Sequence, residues 1–417
     1  MVCLYIDLFL CLILFSPPYI DDDTINEVTD TLKSGWITTG PKVKLLEKEI
    51  GEYCNVPNVL AVNSATSALM LVMHWYGVTR GDEVIVPAYT YCATALAAMH
   101  IGAKVVMVDV KDDFTIDPEK IKAAITPRTK AVIAVDFAGW PCDYNAVNAI
   151  LADEQVAEKF TPSSNIQQQQ LGRILLISDA AHSYGAKYNS RVTGTLADIT
   201  VFSLHAVKNV TTAEGGVICI NMPPPFNNAD IYSTLRLWSL NGQTKDAFSK
   251  SKAGGWRYDI VYPGFKMNMP DVLAALGLGQ IRKYDSVLLT ERRRVFNTYS
   301  EAFKKYTWAT PPPFNKQGYE SSYHLYPLIV QNITEQQRDA VIDLITQQGV
   351  AVNVHFIPMP MLTVFKNAGY KINDYPISYA LYSGEISLPV YPQLSNSQCD
   401  TVINAVVSAV NKVIGND

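Results

Sequence analysis

The sequence contains no CxxC pair. Its seven cysteines (Cys3, Cys11, Cys54, Cys92, Cys142, Cys219 and Cys399) are scattered and odd in number. That excludes a disulfide framework and a cysteine zinc site, and leaves small buried hydrophobes in a reducing compartment. A basic stripe is missing too. Lys and Arg total 34 against 39 Asp and Glu, for a net charge of -5, which argues against a nucleic-acid partner. Neither GxxxxGK[ST] nor a strand-linked GxGxxG occurs; "GLGQ" at 277–280 falls inside a helical pattern. The two common nucleotide cradles are therefore absent. No apolar run reaches the roughly 20 residues that a membrane-spanning helix needs. The longest, "MVCLYIDLFLCLILF" at 1–15, has no Lys or Arg before it, carries Asp7 and runs into "SPPYIDDD". It lacks the flanks of a signal peptide and reads as an atypical leader, 1–15, on a cytoplasmic protein. A weak membrane anchor is the alternative reading.

What remains is a globular chain of 417 residues, 48% hydrophobic and 18% charged, too long for one ordinary core. Seven short apolar runs punctuate the first half: "NVLAV" (58–62), "DEVIVP" (82–87), "KVVMVDV" (104–110), "KAVIAVDF" (130–137), "RILLIS" (173–178), "ITVFSL" (199–204) and "GGVICI" (215–220). Helical patterns separate most of them. Continuous β-branched runs in that setting predict a seven-stranded, mostly parallel α/β sheet covered by helices on both faces. A polar stretch at 150–172 with a Gln run reads as a surface insertion without chemistry. A long helical pattern runs from 270 to about 306, and prolines 311–313 mark a change to a smaller α+β segment. The organisation expected is a large domain over 16–306 and a small C-terminal domain over 307–417.

In parallel sheets, ligands sit beyond the carboxyl ends of the strands, so the residues there carry the argument. Ser64, Thr66 and Ser67 follow a strand and open a helix, where free N–H groups favour a phosphate; plain N-capping explains the same residues. Tyr89 and Tyr91 follow the next strand and suit either core packing or stacking on a flat ring. Asp179 ends the run "ILLIS", where it caps a turn or pairs with a cationic ring nitrogen. Lys208 lies in "TVFSLHAVKNVTTAEGG", between two buried runs, with Ser203 and His205 before it. It is either a surface lysine or an amine kept dehydrated and nucleophilic. Phosphate cradle, ring stacker, ring-nitrogen carboxylate and lysine, in that order, are the parts that pyridoxal 5'-phosphate requires.

The stretches "SGWITTGPK", "SATSAL", "VPAYTYCAT", "AITPRTKAVIAVDFAG", "DAAHSYGA", "FSLHAVKN", "TTAEGG" and "GFKMNMPDVLAALGLGQ" resemble the DegT/DnrJ/EryC1/StrS family of sugar aminotransferases, from about residue 15 to the C-terminus. The branch making UDP-4-amino-4-deoxy-L-arabinose is the most similar by "SGWITTGPK", "FSLHAVKN" and "GFKMN". The resemblance implies an aspartate-aminotransferase-like (type I) fold. It also implies a Lys208 Schiff base, Asp179 at the pyridine nitrogen, His182 beside the ring and Tyr91 stacked on it. Ala65, Thr66 and Ser203 would hold the phosphate. It implies a homodimer in which a loop of the second subunit, around Lys266 to Asn268 and including Trp256 and Arg257, completes each site. This chain has Lys266-Met267-Asn268 where many members have Asn-x-Arg. Trp36, Thr38, His324 and His355 would meet the sugar nucleotide, although both histidines also suit ordinary polar strand positions. The implied reaction is ping-pong transfer from L-glutamate, leaving 2-oxoglutarate, to a nucleotide-linked keto-sugar. Dehydratase relatives carry His at the lysine position, so Lys208 favours transamination. Another type I enzyme, a lyase or dehydratase, and a non-catalytic regulator on the same fold are the alternatives.

Overall fold

Each of the seven apolar runs forms a strand of one sheet in the computed structural model, which describes residues 12–245 and 256–415. The strands are β1 (Val59–Val62), β2 (Glu83–Pro87), β3 (Lys104–Val108), β4 (Thr129–Val135), β5 (Leu175–Asp179), β6 (Ile199–Ser203) and β7 (Gly216–Ile220). Their order across the sheet is β1-β7-β6-β5-β4-β2-β3. Pairings from β6 through β3 are parallel, and β7 runs against both of its neighbours. This is the predicted seven-stranded, mostly parallel α/β sheet. It is buried on both faces. In β1, Leu60 and Val62 join the core under helices Ala65–Trp75 and Ala93–His100, while Val59 and Ala61 join the core under helices Pro41–Cys54 and Asp271–Ile281. Two buried faces explain why the strands read as continuous apolar runs rather than alternating ones.

Register decides which residues meet at the carboxyl edge. Asp179, last in β5, pairs with Val135 and Val201. Gly216, first in the reversed β7, pairs with Val62 on one side and Ser203 on the other. The turn after β1 and the end of β6 therefore flank the same glycine. A second, antiparallel sheet is made of β8 (Ala309–Thr310), β9 (Tyr326–Val330) and β10 (Glu385–Leu388), with helices Glu335–Gln347, Pro376–Gly384 and Asn396–Ile414 in the same part of the chain.

Four details differ from the sequence reading. The leader does not stop short of the fold at residue 15. Ile13 is buried, its N–H donates to Gly349 O and its carbonyl accepts from Ala351 N, while residues 1–11 lie outside the described part. The 150–172 stretch is anchored rather than lying wholly on the surface: Gln168 is fully buried and its Nε2 donates to the Tyr76 and Gly77 carbonyls. The helical run from 270 is not continuous. It ends at Ile281 and resumes through a wider turn, Tyr284–Leu289, into Thr290–Phe303. The apolar run "VAVNVHF" at 350–356, which reads as a strand, makes only isolated bridges, Val350 with Ile13 and Asn353 with Ser387. Among the described residues no helix is long and apolar enough to cross a membrane.

Candidate active site

At the carboxyl edge of the sheet lies a cleft of about 520 Å³, lined from the strand side by Ser64, Ala65, Thr66, Tyr91, Asp179, His182, Ser203 and Lys208. The small-sheet side contributes His324, Asn353, His355 and Phe356, and the N-terminal segment contributes Phe15 and Ser16.

The first wall is a helix N-terminus. Ser64 is extended, and its Oγ accepts from Ser67 N to cap helix Ala65–Trp75. Capping and anion binding are compatible here, because one cap leaves other first-turn N–H groups free. Gly216 sits so tightly against this turn that a Cβ would fall 2.4 Å from Ser64 C and 2.5 Å from Ala65 N. Glycine is needed there for close approach of two backbones, and that approach brings Ser203 beside Ala65 and Thr66.

Asp179 is nearly buried. Thr94 Oγ1 donates to its Oδ2 at 2.8 Å and Ala181 N to its Oδ1 at 3.3 Å. Burial raises the carboxyl above its ordinary range, and the charge of Lys208 only partly offsets this. Lys208 occupies the cleft floor, its backbone N–H bonded to His205 O. Loss of water around the amine pushes its pKa down to about 8, with Asp179 acting in the opposite sense. None of the hydrogen bonds or ion pairs described engages its Nζ. Lys208 is thus half-buried in the cleft rather than on an open loop, which favours the dehydrated-amine reading.

His182 is buried, and Ala138 N donates to its Nδ1 at 3.1 Å. Burial, with Lys208 and His355 near, holds the ring far below the usual imidazole range and thus neutral; its proton then sits on Nε2. His324 lies against it, ring centroids 4.5 Å apart, with Nδ1 2.9 Å from Asn209 Oδ1. His355 lies between Phe15, stacked at 5.4 Å, and the edge-on Phe356 at 5.0 Å. Tyr91 is exposed at the cleft mouth, 5.7 Å from Phe356. Tyr89 is the packed member of the pair, fully buried and donating to His355 O.

Other predicted residues lie elsewhere on the chain. Trp36 and Thr38 do not line this cleft; the Trp36 indole packs against Gly40, and Thr38 O accepts from Asp271 N. Lys266, Met267 and Asn268 are also outside it. They run along the end of β1, where Met267 O accepts from Asn63 N and Asn268 Nδ2 donates to Thr39 Oγ1. Trp256 is 70% exposed, with the Arg257 guanidinium 5.0 Å over its ring. Sequence reasoning missed Thr94, Asn209, Phe15 and Phe356. Thr94 lies in the quoted "VPAYTYCAT", and its place one helical turn after Thr90 was the available signal. Phe15 had none, because an apolar leader conceals an apolar contact residue.

The donor set fits pyridoxal phosphate. A dehydrated amine and a buried carboxylate, which make no direct ion pair among the described residues, face one cleft beside an open helix N-terminus. An aldehyde, a protonated pyridine nitrogen and a phosphate satisfy the three respectively.

The comparisons with known proteins agree. The family model for DegT/DnrJ/EryC1/StrS aminotransferases matches residues 18–157 and 166–407. The spore coat polysaccharide biosynthesis protein SpsC of Bacillus subtilis is 35% identical over 397 residues, 94% of this chain and 95% of that protein. A protein of Methanocaldococcus jannaschii, MJ1066, is 35% identical over 406 residues, 95% of this chain and 98% of its own length. Among solved structures, Spr1654 of Streptococcus pneumoniae, a sugar aminotransferase by its name, superimposes in its PLP-form with a TM-score of 0.91 at 40% identity, covering 96% of this chain and 99% of that one. PseC of Helicobacter pylori, named as an aminotransferase of pseudoaminic acid biosynthesis, gives a TM-score of 0.82 at 26% identity over 96% of this chain and 100% of that one. The chain thus has the type I fold of these enzymes, and it belongs to the DegT/DnrJ/EryC1/StrS aminotransferase family as a transaminase dependent on pyridoxal 5'-phosphate.

Proposed function

We propose that the enzyme moves an amino group from L-glutamate to a nucleotide-linked keto-sugar in two half-reactions through one cleft. The observation that carries this reading is the opposition of Lys208 and Asp179 to a small-sheet wall of His324, Asn353, His355 and Phe356, which leaves about 520 Å³ between them. Pyridoxal phosphate supplies the carbonyl that exchanges amines and the ring that spreads the electron pair released when Cα loses its proton. Asp179 would hold the ring nitrogen protonated, and the Lys208 amine, once free, would act as base and then acid for the substrate Cα proton. Ala65, Thr66 and Ser203 would hold its phosphate, and Tyr91 and neutral His182 would line its ring. The sugar nucleotide enters against His324 and His355.

The site is shared in a homodimer. Lys266 and Asn268, with Trp256 and Arg257, reach the cleft of the second subunit, and Trp36 and Thr38 meet the sugar nucleotide there. The exposed apolar residues Trp256, Tyr258, Ile260 and Val261 support an interface in this region.

The deciding experiment is an absorbance spectrum of the purified protein with and without L-glutamate. A visible band that bleaches with glutamate, returns with one keto-sugar nucleotide from a panel, and is missing in Lys208→Ala supports the reading. A band indifferent to glutamate would transfer the assignment to a lyase or dehydratase.

A further inference from the structure

Behind the small-sheet wall lies a buried acid for which the proposed transamination has no use. Glu385, first in β10, is fully buried. Its Oε2 accepts from the backbone N–H of His355 at 2.9 Å, and its Oε1 lies 2.5 Å from Ser387 Oγ. Ser387 Oγ in turn lies 2.9 Å from His355 Nδ1. Both faces of that imidazole are set by Phe15 and Phe356. With Nδ1 engaged, Nε2 is the ring's polar atom for the cleft that His355 lines.

We propose that Glu385 is a positioning residue which, through Ser387, sets whether His355 presents Nε2 to the substrate as a hydrogen-bond donor or as an acceptor. This rests on reading the cleft as the sugar-nucleotide site. Ser387 has one hydroxyl proton, so the chain has only two consistent arrangements. With Glu385 neutral, the acid proton sits on Oε1, because Oε2 is already accepting. Glu385 then donates to Ser387, Ser387 donates to Nδ1, and His355 carries its own proton on Nε2. With Glu385 ionised, Ser387 donates to the carboxylate, His355 donates from Nδ1, and Nε2 offers a lone pair. The total number of protons differs by one between the two states. The proton lost is that of Glu385, while the imidazole stays neutral and changes tautomer.

The surroundings place this switch in an accessible range. Burial raises the Glu385 carboxyl to about 8, offset in part by Ser387, the His355 N–H and the Arg338 charge. Arg338, from helix Glu335–Gln347, also donates to the Glu385 carbonyl. Tyr89 also lies near this acid, and Arg338 is itself paired with Asp339 Oδ1 at 2.7 Å and packed over the Tyr382 ring. On the cleft side, His355 faces Lys208, His182 and His324, and burial with the Lys208 charge holds it down at about 3. A neutral imidazole is thus retained in both arrangements. Below pH 8, His355 offers a donor suited to an oxygen acceptor, such as a sugar hydroxyl, carbonyl or phosphate oxygen.

The tautomer can be read directly on the full-length protein, without substrate, by long-range nitrogen–proton NMR with labelled histidine. The chain has six histidines, and a His355→Asn spectrum identifies the signal. The wild type is expected to hold the proton on Nε2 at pH 6.5 and on Nδ1 at pH 9.5. Glu385→Gln, whose amide oxygen is held by the His355 N–H so that its NH2 faces Ser387, is expected to keep it on Nε2 throughout. Ser387→Ala is expected to abolish the pH response, and it decides the matter should Glu385→Gln fail to fold. A wild-type tautomer that ignores pH, or one that switches equally in Glu385→Gln or Ser387→Ala, overturns the proposal. Failure of glutamate to bleach the cofactor band would overturn the proposed function instead and leave the tautomer result standing.

Discussion

Thr94 Oγ1 donates a hydrogen bond to Asp179 Oδ2 over 2.8 Å, tying the first turn of helix Ala93–His100 to the end of β5. The bond does two things. It satisfies one oxygen of a buried carboxylate and, with the Ala181 N–H on the other, fixes the orientation of a group that lines the cleft. Hydrogen bonds to charged groups contribute about 1.5–3 kcal/mol. Thr94→Val, which keeps the shape and removes the donor, is expected to slow the glutamate half-reaction by roughly 10- to 100-fold at that magnitude. Asp179→Asn should be slower still, because it removes the charge that keeps the ring nitrogen protonated. Stopped-flow bleaching of the cofactor band measures both, and equal rates for Thr94→Val and wild type would refute the orienting role.

The Lys208 amine gives a pH prediction with a definite sign. Its pKa is lowered to about 8 by burial, so the neutral, nucleophilic fraction grows as pH rises through that value. An exposed lysine would not reach the same fraction until about pH 10.4. Capture of pyridoxal phosphate by the apoprotein should therefore accelerate from pH 7 and level off near pH 9. Lys208→Ala should form no covalent adduct with the cofactor that borohydride can trap, at any pH. A capture rate that climbs steadily to pH 10 would mean that the amine is ordinary.

The order of the site along the sequence was legible because a parallel sheet sends its functional residues to one edge. Each parallel run ends where a ligand can bind, so Ser64, Asp179 and Lys208 stood out without any knowledge of pairing. Residues that depend on pairing did not. Gly216 reaches Ser64 only because β7 is reversed and inserted between β1 and β6, an order that no local pattern encodes. The Glu385–Ser387–His355 chain needs the bridge between Asn353 and Ser387, which joins segments with no shared periodicity. Ile13 and Phe15 were hidden in a run whose composition suggested a leader. Gln168 was hidden in a polar tract, where one buried glutamine looks like its exposed neighbours.

Gly216→Ala tests the backbone approach that forms the phosphate wall. The added methyl would meet backbone atoms of Ser64 and Ala65, which cannot rotate away as a side chain could. Overpacking of this kind costs about 1–3 kcal/mol. The expected result is a lower melting temperature together with weaker pyridoxal phosphate binding, since the helix N-terminus is displaced. If melting falls while cofactor affinity is unchanged, the Ser64–Thr66 turn does not hold the phosphate.

Phe15 stacks on His355 across the cleft mouth, while Ser16 and Ile13 secure the segment to Val207 and to residues 349–351. Aromatic contacts add about 0.5–1.5 kcal/mol beyond area burial. Phe15→Ala is accordingly expected to raise KM for the sugar-nucleotide acceptor by roughly 2- to 10-fold. KM for L-glutamate, a smaller substrate held nearer Lys208, should change little. A parallel rise in both would indicate general loosening of the cleft rather than a contact on the acceptor side.

The shared-site reading makes a prediction that no single-site arrangement can meet. Lys208 lines the cleft of its own chain, whereas Asn268 lies outside it beside Val62 and Thr39. If Asn268 serves the second subunit, Lys208→Ala and Asn268→Ala disable sites in different ways. A mixed dimer of the two variants then has one site carrying both lesions and one carrying neither. Mixing the two inactive proteins under conditions of subunit exchange should restore roughly a quarter of wild-type activity, since random pairing makes about half the dimers mixed and each has one intact site. If Asn268 instead acted within its own chain, every site in every pairing would keep one lesion, and mixing would restore nothing.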